Sequence, residues 1–201
     1  MTEKKTKHHH GDLRNALIQA GIAILAEDGI DKLTLRRCAA RAGVSHAAPA
    51  HHFKGVEGLR GAIAEEGFVI FRGYMQRELD KVGDDPHRRL KAISLGYLLF
   101  ALENPALFEL IFGISAMLYL NEVQPESPGA SYDMLRQCCA PFVAEGAESG
   151  PVEAQVWSLI HGFATLFLSE QFGPVDRGNP DLDAFNKVIT LLDSLPLADR
   201  A

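Results

Sequence analysis

Leu13, Leu17, Ala20 and Ile24 recur at steps of four, three and four, which lays one apolar stripe along a helix from Asp12 to Gly29. Asp12 stands where a capping carboxylate is wanted. Thr34 then precedes Leu35, Cys38, Ala39 and Ala42, a short second helix capped by a hydroxyl and closed by Gly43, which tolerates a left-handed backbone. Ser45 is the natural cap of a third helix, predicted over His46 to Phe53. A longer helix is expected from Val56 to Val82, with Leu59, Ile63, Ile70, Tyr74 and Leu79 broadly on one side; at 1.5 Å per residue it spans about 40 Å.

Asp85-Pro86 opens the next helix, since proline costs nothing in a first turn whose donors have no partners, and the stripe Leu90, Ile93, Tyr97, Phe100 carries it to Asn104-Pro105. Pro105 to Phe112 makes a short helix. Asn121 to Ser131 collects Pro, Gly, Ser and Asn and is predicted to be a loop. Helices resume over Tyr132 to Glu148, Pro151 to Phe172 and Asp181 to Leu195, with Pro141 expected to kink or break the first of them. No segment alternates with period two over five or more residues, so the expected fold class is all-α without a sheet.

Composition changes this picture in two ways. At 201 residues with 47% hydrophobic side chains, the chain can bury a substantial core, and its longest charge-free apolar run, Leu110 to Leu120, falls short of the roughly 18 residues needed to cross a bilayer. A cytoplasmic location with no membrane partner is the resulting expectation. The net charge of −6 also hides an asymmetry: residues 1–60 hold ten Lys/Arg against six Asp/Glu, whereas residues 61–201 hold ten against twenty. Only the front of the chain suits a polyanion. Cys38, Cys138 and Cys139 lack any disulfide framework or zinc spacing and read as reduced, packed thiols.

The helix, tight turn and helix between Thr34 and Phe53 have the size of a DNA-reading helix-turn-helix, whose second helix enters the major groove. Small residues at Ala39, Ala40 and Ala42 allow close approach, Gly43 makes the turn, and Val44 with Phe53 can anchor the unit on the first helix. Arg36, Arg37, Arg41 and Lys54 supply cations around it. His46, His51 and His52 add three imidazoles to the same segment.

The run Leu33-Thr34-Leu35-Arg36 through Ala42-Gly43-Val44-Ser45, followed by His51, Phe53 and Lys54, resembles the signature of TetR-type repressors over about residues 12–62. The resemblance implies that Thr34 and Lys54 hold phosphates and that His46, Ala47, Ala50 and His51 face base edges or adjacent backbone. With Arg36, Arg37 and Ser45 these form the candidate DNA-contact set. Three positions depart from the family pattern: His46 replaces a common lysine, Pro49 an aliphatic residue and Ala50 an aromatic one. Ala50 can pack on a thymine methyl but cannot hydrogen-bond a base.

Trp157-Ser158-Leu159-Ile160-His161-Gly162 is similar to the Trp-His-Gly core of one subset of that family's effector domains, and His9-His10-Gly11-Asp12-Leu13-Arg14 is similar to the start of the same subset. Trp157 and His161 stand four apart on one helix face, where they either line a cavity or pack a core. Phe71, Tyr74, Phe100, Phe108, Phe112, Phe163 and Phe167 suit an apolar ligand pocket by composition and a helical core equally well; the resemblance favours the pocket. It also implies that the last two substantial helices pair with their copies as a four-helix bundle. A two-fold dimer independently suits DNA reading, because it places two recognition helices about 34 Å apart.

The expected organisation is therefore a basic arm (1–11), a DNA-binding domain (12–55) and an effector-binding and dimerisation domain (56–201). The expected partners are a double-stranded operator, a small-molecule effector and a second copy of the chain, with no cofactor and no metal. Catalysis finds no support, for there is no Glu-x-x-His pair, no Gly-x-Ser-x-Gly, no phosphate-cradling glycine loop and no His-Glu-x-x-His; Asp84-Asp85-Pro86-His87 is a helix entry. The competing reading is a helical adaptor that does not bind DNA.

Overall fold

The computed structural model describes residues 10–113, 116, 126–176, 180 and 182–198. Eight α-helices run through them: α1 (His10–Asp28), α2 (Leu35–Arg41), α3 (Gly55–Leu79), α4 (Pro86–Glu103), α5 (Pro105–Phe112), α6 (Glu126–Cys139), α7 (Gly150–Leu168) and α8 (Asp183–Ile189). There is no strand among the described residues, as the absence of period-two alternation predicted. No single helix there is long and apolar enough to cross a membrane. The chain divides into two compact units, 1–67 with 106–124 and 68–105 with 125–201, and α3 runs from the first into the second.

In the first unit α1 packs on α2 over Leu17, Ile18, Ile24, Leu25, Leu33, Cys38 and Ala39, with Phe53, Leu59 and Ile63 completing the core. Helix α1 begins at His10, two residues ahead of the expected start at Asp12. Residues 1–9 of the expected arm lie outside the described residues. Thr34 caps α2 as expected, its Oγ1 accepting from Arg37 N at 3.2 Å. Gly43, at φ 70°, closes the helix with paired bonds, Gly43 N to Ala40 O at 3.2 Å and Val44 N to Ala39 O at 3.0 Å.

The third helix expected over His46 to Phe53 is not α-helical. Only Ala48–His51 are regular, as a 3-10 turn, and Ser45 is not its cap. Pro49 is the cause: it has no N–H to give Ser45 O, its ring crowds that carbonyl, and it biases Ala48 away from the α region. The chain bonds three residues back instead, Ala48 N to Ser45 O at 3.0 Å and His52 N to Pro49 O at 3.0 Å.

In the second unit α4 is the central element, burying Leu90, Ile93, Tyr97, Leu98 and Phe100 and packing on α6, α7 and the 3-10 segment Thr190–Ser194. Asp85 caps it, accepting from Arg88 N at 2.8 Å. The predicted loop at Asn121 to Ser131 is corrected in its second half, because residues 126–131 are the opening turns of α6, where a turn-forming composition yields to the burial of Ser131 and Leu135. Residues 121–125 lie outside the described residues. Pro141 does break the following helix: α6 stops at Cys139 and a 3-10 turn, Ala140–Phe142, takes over. Helix α7 ends at Leu168, short of the expected Phe172, and the last helix tightens to 3-10 geometry after Ile189.

Candidate nucleic-acid interface and effector-side polar node

The polar residues of the turn and recognition segment point outward while its apolar ones are its anchor. Thr34, Arg36, Arg37, Ser45, His46, Ala47, Ala50, His51 and Lys54 are all exposed, whereas Pro49 and Phe53 are buried. Alternation of this kind presents a polar ridge with a hydrophobic root.

Two of the arginines around this ridge are engaged by α1. Arg41 makes a bidentate pair with Glu27, Nη1 to Oε2 and Nη2 to Oε1, both at 2.6 Å. That hydrogen bonding holds the Glu27 carboxyl below its ordinary pKa. Arg37 donates to Asp28 Oδ2 at 2.5 Å and to the Lys32 carbonyl at 3.2 Å. These contacts clamp α2 to the end of α1 and hold two of the four expected cations in internal pairs. Sequence reasoning could see the four arginine and lysine charges but not the acids they meet, which lie 9 and 14 residues away.

In the second unit Phe71, Tyr74 and Phe100 meet, with Phe71 5.2 Å and Tyr74 5.8 Å from the Phe100 centroid. Tyr97 joins them edge-on to Phe71 at 5.1 Å. Phe167 belongs to another stack, with Phe163 at 5.5 Å, which also receives Phe172 and Phe185. Phe108 and Phe112 pack on each other at 5.3 Å in the first unit. Trp157 lies beside Tyr132 and keeps 40% of its surface exposed, so its ring is not enclosed.

Trp157 and His161 nevertheless converge on a residue that the sequence reading placed only in a core stripe. The Tyr97 hydroxyl lies 2.8 Å from His161 Nδ1, and Tyr97 also shares a side-chain hydrogen bond with Trp157. The Tyr97 hydroxyl can either donate to His161 Nδ1 or accept from it, according to the imidazole tautomer. Burial holds the Tyr97 phenol protonated well above its usual range, against the Trp157 hydrogen bond that favours ionisation, and burial pushes the His161 imidazole below its ordinary value. The node is thus an uncharged chain of directional groups beside aromatic rings. A hydroxyl set in the apolar stripe of α4 was the signal that could have found it.

The remaining titratable interior is structural. Glu153 of α7, nearly fully buried, accepts from the Tyr132 hydroxyl of α6; burial raises its pKa, and the bonds from Tyr132 and Ser149 with the charge of Arg136 bring the net shift below the ordinary value. Cys38, Cys138 and Cys139 are free and buried. Burial pushes all three thiols up, Cys139 to about 12, which keeps them protonated and unreactive. Among the described residues no three His, Cys, Asp or Glu side chains gather as a metal site.

Residues 90–192 match the family model described as the tetracyclin repressor-like C-terminal domain, and residues 17–63 match that of the bacterial regulatory proteins of the tetR family. No curated protein matches the chain. Among solved structures, a protein of unknown function from Rhodococcus sp. RHA1 is similar at 29% identity and a TM-score of 0.74, over 95% of this chain and 97% of that one. A TetR-family transcriptional regulator from Rhodococcus sp. shares the fold at 20% identity and a TM-score of 0.68, over 92% and 98%. The regulator FadR from Bacillus subtilis, solved in complex with stearoyl-CoA, shares it at 17% identity and a TM-score of 0.66, over 90% and 98%.

Proposed function

The chain belongs to the TetR family of bacterial regulatory proteins, a DNA-binding and effector-responsive class rather than an enzyme class, and from that premise we propose that it is a homodimeric repressor released from a palindromic operator by a small molecule. The observation that carries this reading is the exposed ridge from Thr34 through Ser45–His51 to Lys54, rooted by buried Pro49 and Phe53. In it Thr34 and Lys54 hold phosphates, and His46, Ala47, Ala50 and His51 meet base edges. Arg36 adds a backbone contact, while Arg37 and Arg41 position α2 through Asp28 and Glu27.

On the effector side, the Trp157–Tyr97–His161 node beside Phe71 and Phe100 supports assignment to the Trp-His-Gly subset and a mostly apolar ligand with an uncharged hydrogen-bonding group. Dimerisation through α7 and the last helical segment is favoured by the exposed apolar side chains Leu166, Phe172 and Leu191. Helix α3 is continuous from the first unit into the second, so a ligand that displaces its rear half moves its front half, and the ligand acts as inducer by preferring the spacing that misfits DNA.

Selection of bound duplexes from a random library tests the proposal. An inverted repeat is expected; a protein that stays monomeric and enriches no such sequence ends the reading. One observation favours the second reading, an adaptor without DNA binding: the recognition segment holds only a single 3-10 turn. A gel shift that weakens steeply with salt decides for the repressor.

A further inference from the structure

Beside the recognition ridge, the first unit holds a groove of about 180 Å3 lined by Arg14 of α1, His52, Phe53 and Lys54 of the connecting segment, and Gly58, Ala62 and Glu65 of α3. We infer that this groove seats a DNA backbone phosphate and that Arg14 is its principal ligand, a contact outside the helix-turn-helix. The inference rests on the DNA-binding reading above and extends its footprint onto α1.

Three features favour an anion there. The groove brings two permanent cations, Arg14 and Lys54, and the imidazole of His52 against one acid, Glu65. Arg14 is placed by its surroundings: its guanidinium carbon lies over the ring of buried Phe53, 5.6 Å from the centroid. Its ion pair with Glu65 is loose, 3.8 Å between Nη2 and Oε2 with both side chains partly exposed, so a phosphate displaces it at little cost. Arg14 therefore differs from Arg41, whose bidentate pair at 2.6 Å occupies the guanidinium.

The location argues for backbone phosphate over a free anion. Lys54 is both a wall of the groove and the end of the exposed ridge, so a strand passing Ser45–His51 continues over Arg14. Phosphate contacts of this kind set register and carry no sequence information.

The test is fluorescence anisotropy of a labelled mixed-sequence duplex with full-length protein, its Arg14→Gln and Arg14→Lys variants, and salt varied from about 50 to about 200 mM. Losing one phosphate contact is expected to lower the log–log salt slope of Arg14→Gln by about 0.9, so that its deficit shrinks about 3.5-fold across that range, while Arg14→Lys retains the parental slope. Glu65→Gln is expected to bind the duplex more tightly. If Arg14 only braces α1 against Phe53, Arg14→Gln lowers the melting temperature and leaves the slope unchanged, which overturns the inference while the DNA-binding reading stands. If inorganic phosphate competes with the duplex beyond chloride of equal ionic strength, the groove is a free-anion site and the backbone assignment fails. A parent protein that binds no duplex in a salt-dependent way removes the DNA-binding reading and this inference with it.

Discussion

At Gly96 an added Cβ meets the Met75 Cα at 2.6 Å and the Tyr74 carbonyl oxygen at 2.7 Å, so α3 and α4 touch backbone to backbone there and neither partner can swing aside. Gly96→Ala is therefore expected to cost about 1–3 kcal/mol, read from a urea unfolding midpoint. His161 yields a prediction of different kind. Its folded pKa is depressed below 6.5, so the unfolded chain binds the extra proton first as pH falls; stability is complete above about 6.5 and declines through the window below it. Unfolding midpoints at several values between pH 8 and pH 5 check this, and His161→Gln should flatten that part of the decline. The partner arrangement of this residue was hidden in the sequence, since 64 positions separate it from Tyr97.

The elements show where local chemistry is decisive. Thr34 and Gly43 bound α2, and Asp85-Pro86 opens α4, because caps and left-handed turns involve only neighbours within a turn of chain. Thr34→Ala is expected to lose about 1 kcal/mol of stability through the exposed Arg37 N–H, measurable by thermal or urea denaturation. The recognition segment tests the reverse case. Pro49 carries the 3-10 geometry, so Pro49→Ala is expected to draw His46–Phe53 toward α-helix, visible as helical Cα chemical shifts. Unmoved shifts would assign the turn to tertiary packing of Phe53 instead. The hydroxyl at Ser45 predicts a helix here because a cap signal reaches only its own turn, yet Pro49 removes a donor that no neighbour replaces.

For the whole molecule, the proposed repressor function requires the pairing of two copies. Replacing Leu166 and Leu191, both exposed, by Glu is expected to give a monomer by sedimentation equilibrium, with helix content retained and duplex affinity reduced by about 100-fold or more as the second half-site contact becomes intermolecular. A folded double variant that stays dimeric moves the interface elsewhere. By itself the sequence determined the helical class and the boundaries of α2, α4 and α5, since periodicity, caps and prolines act through bonds reaching three or four residues. Only the tertiary structure decided which charges and hydroxyls were already taken: Arg41 by Glu27, Tyr97 by His161 and Trp157, Arg14 above Phe53 beside Glu65. The physical reason is that a charge or hydroxyl has several partners of equal chemistry along the chain, and only packing, which joins positions far apart in sequence, selects among them.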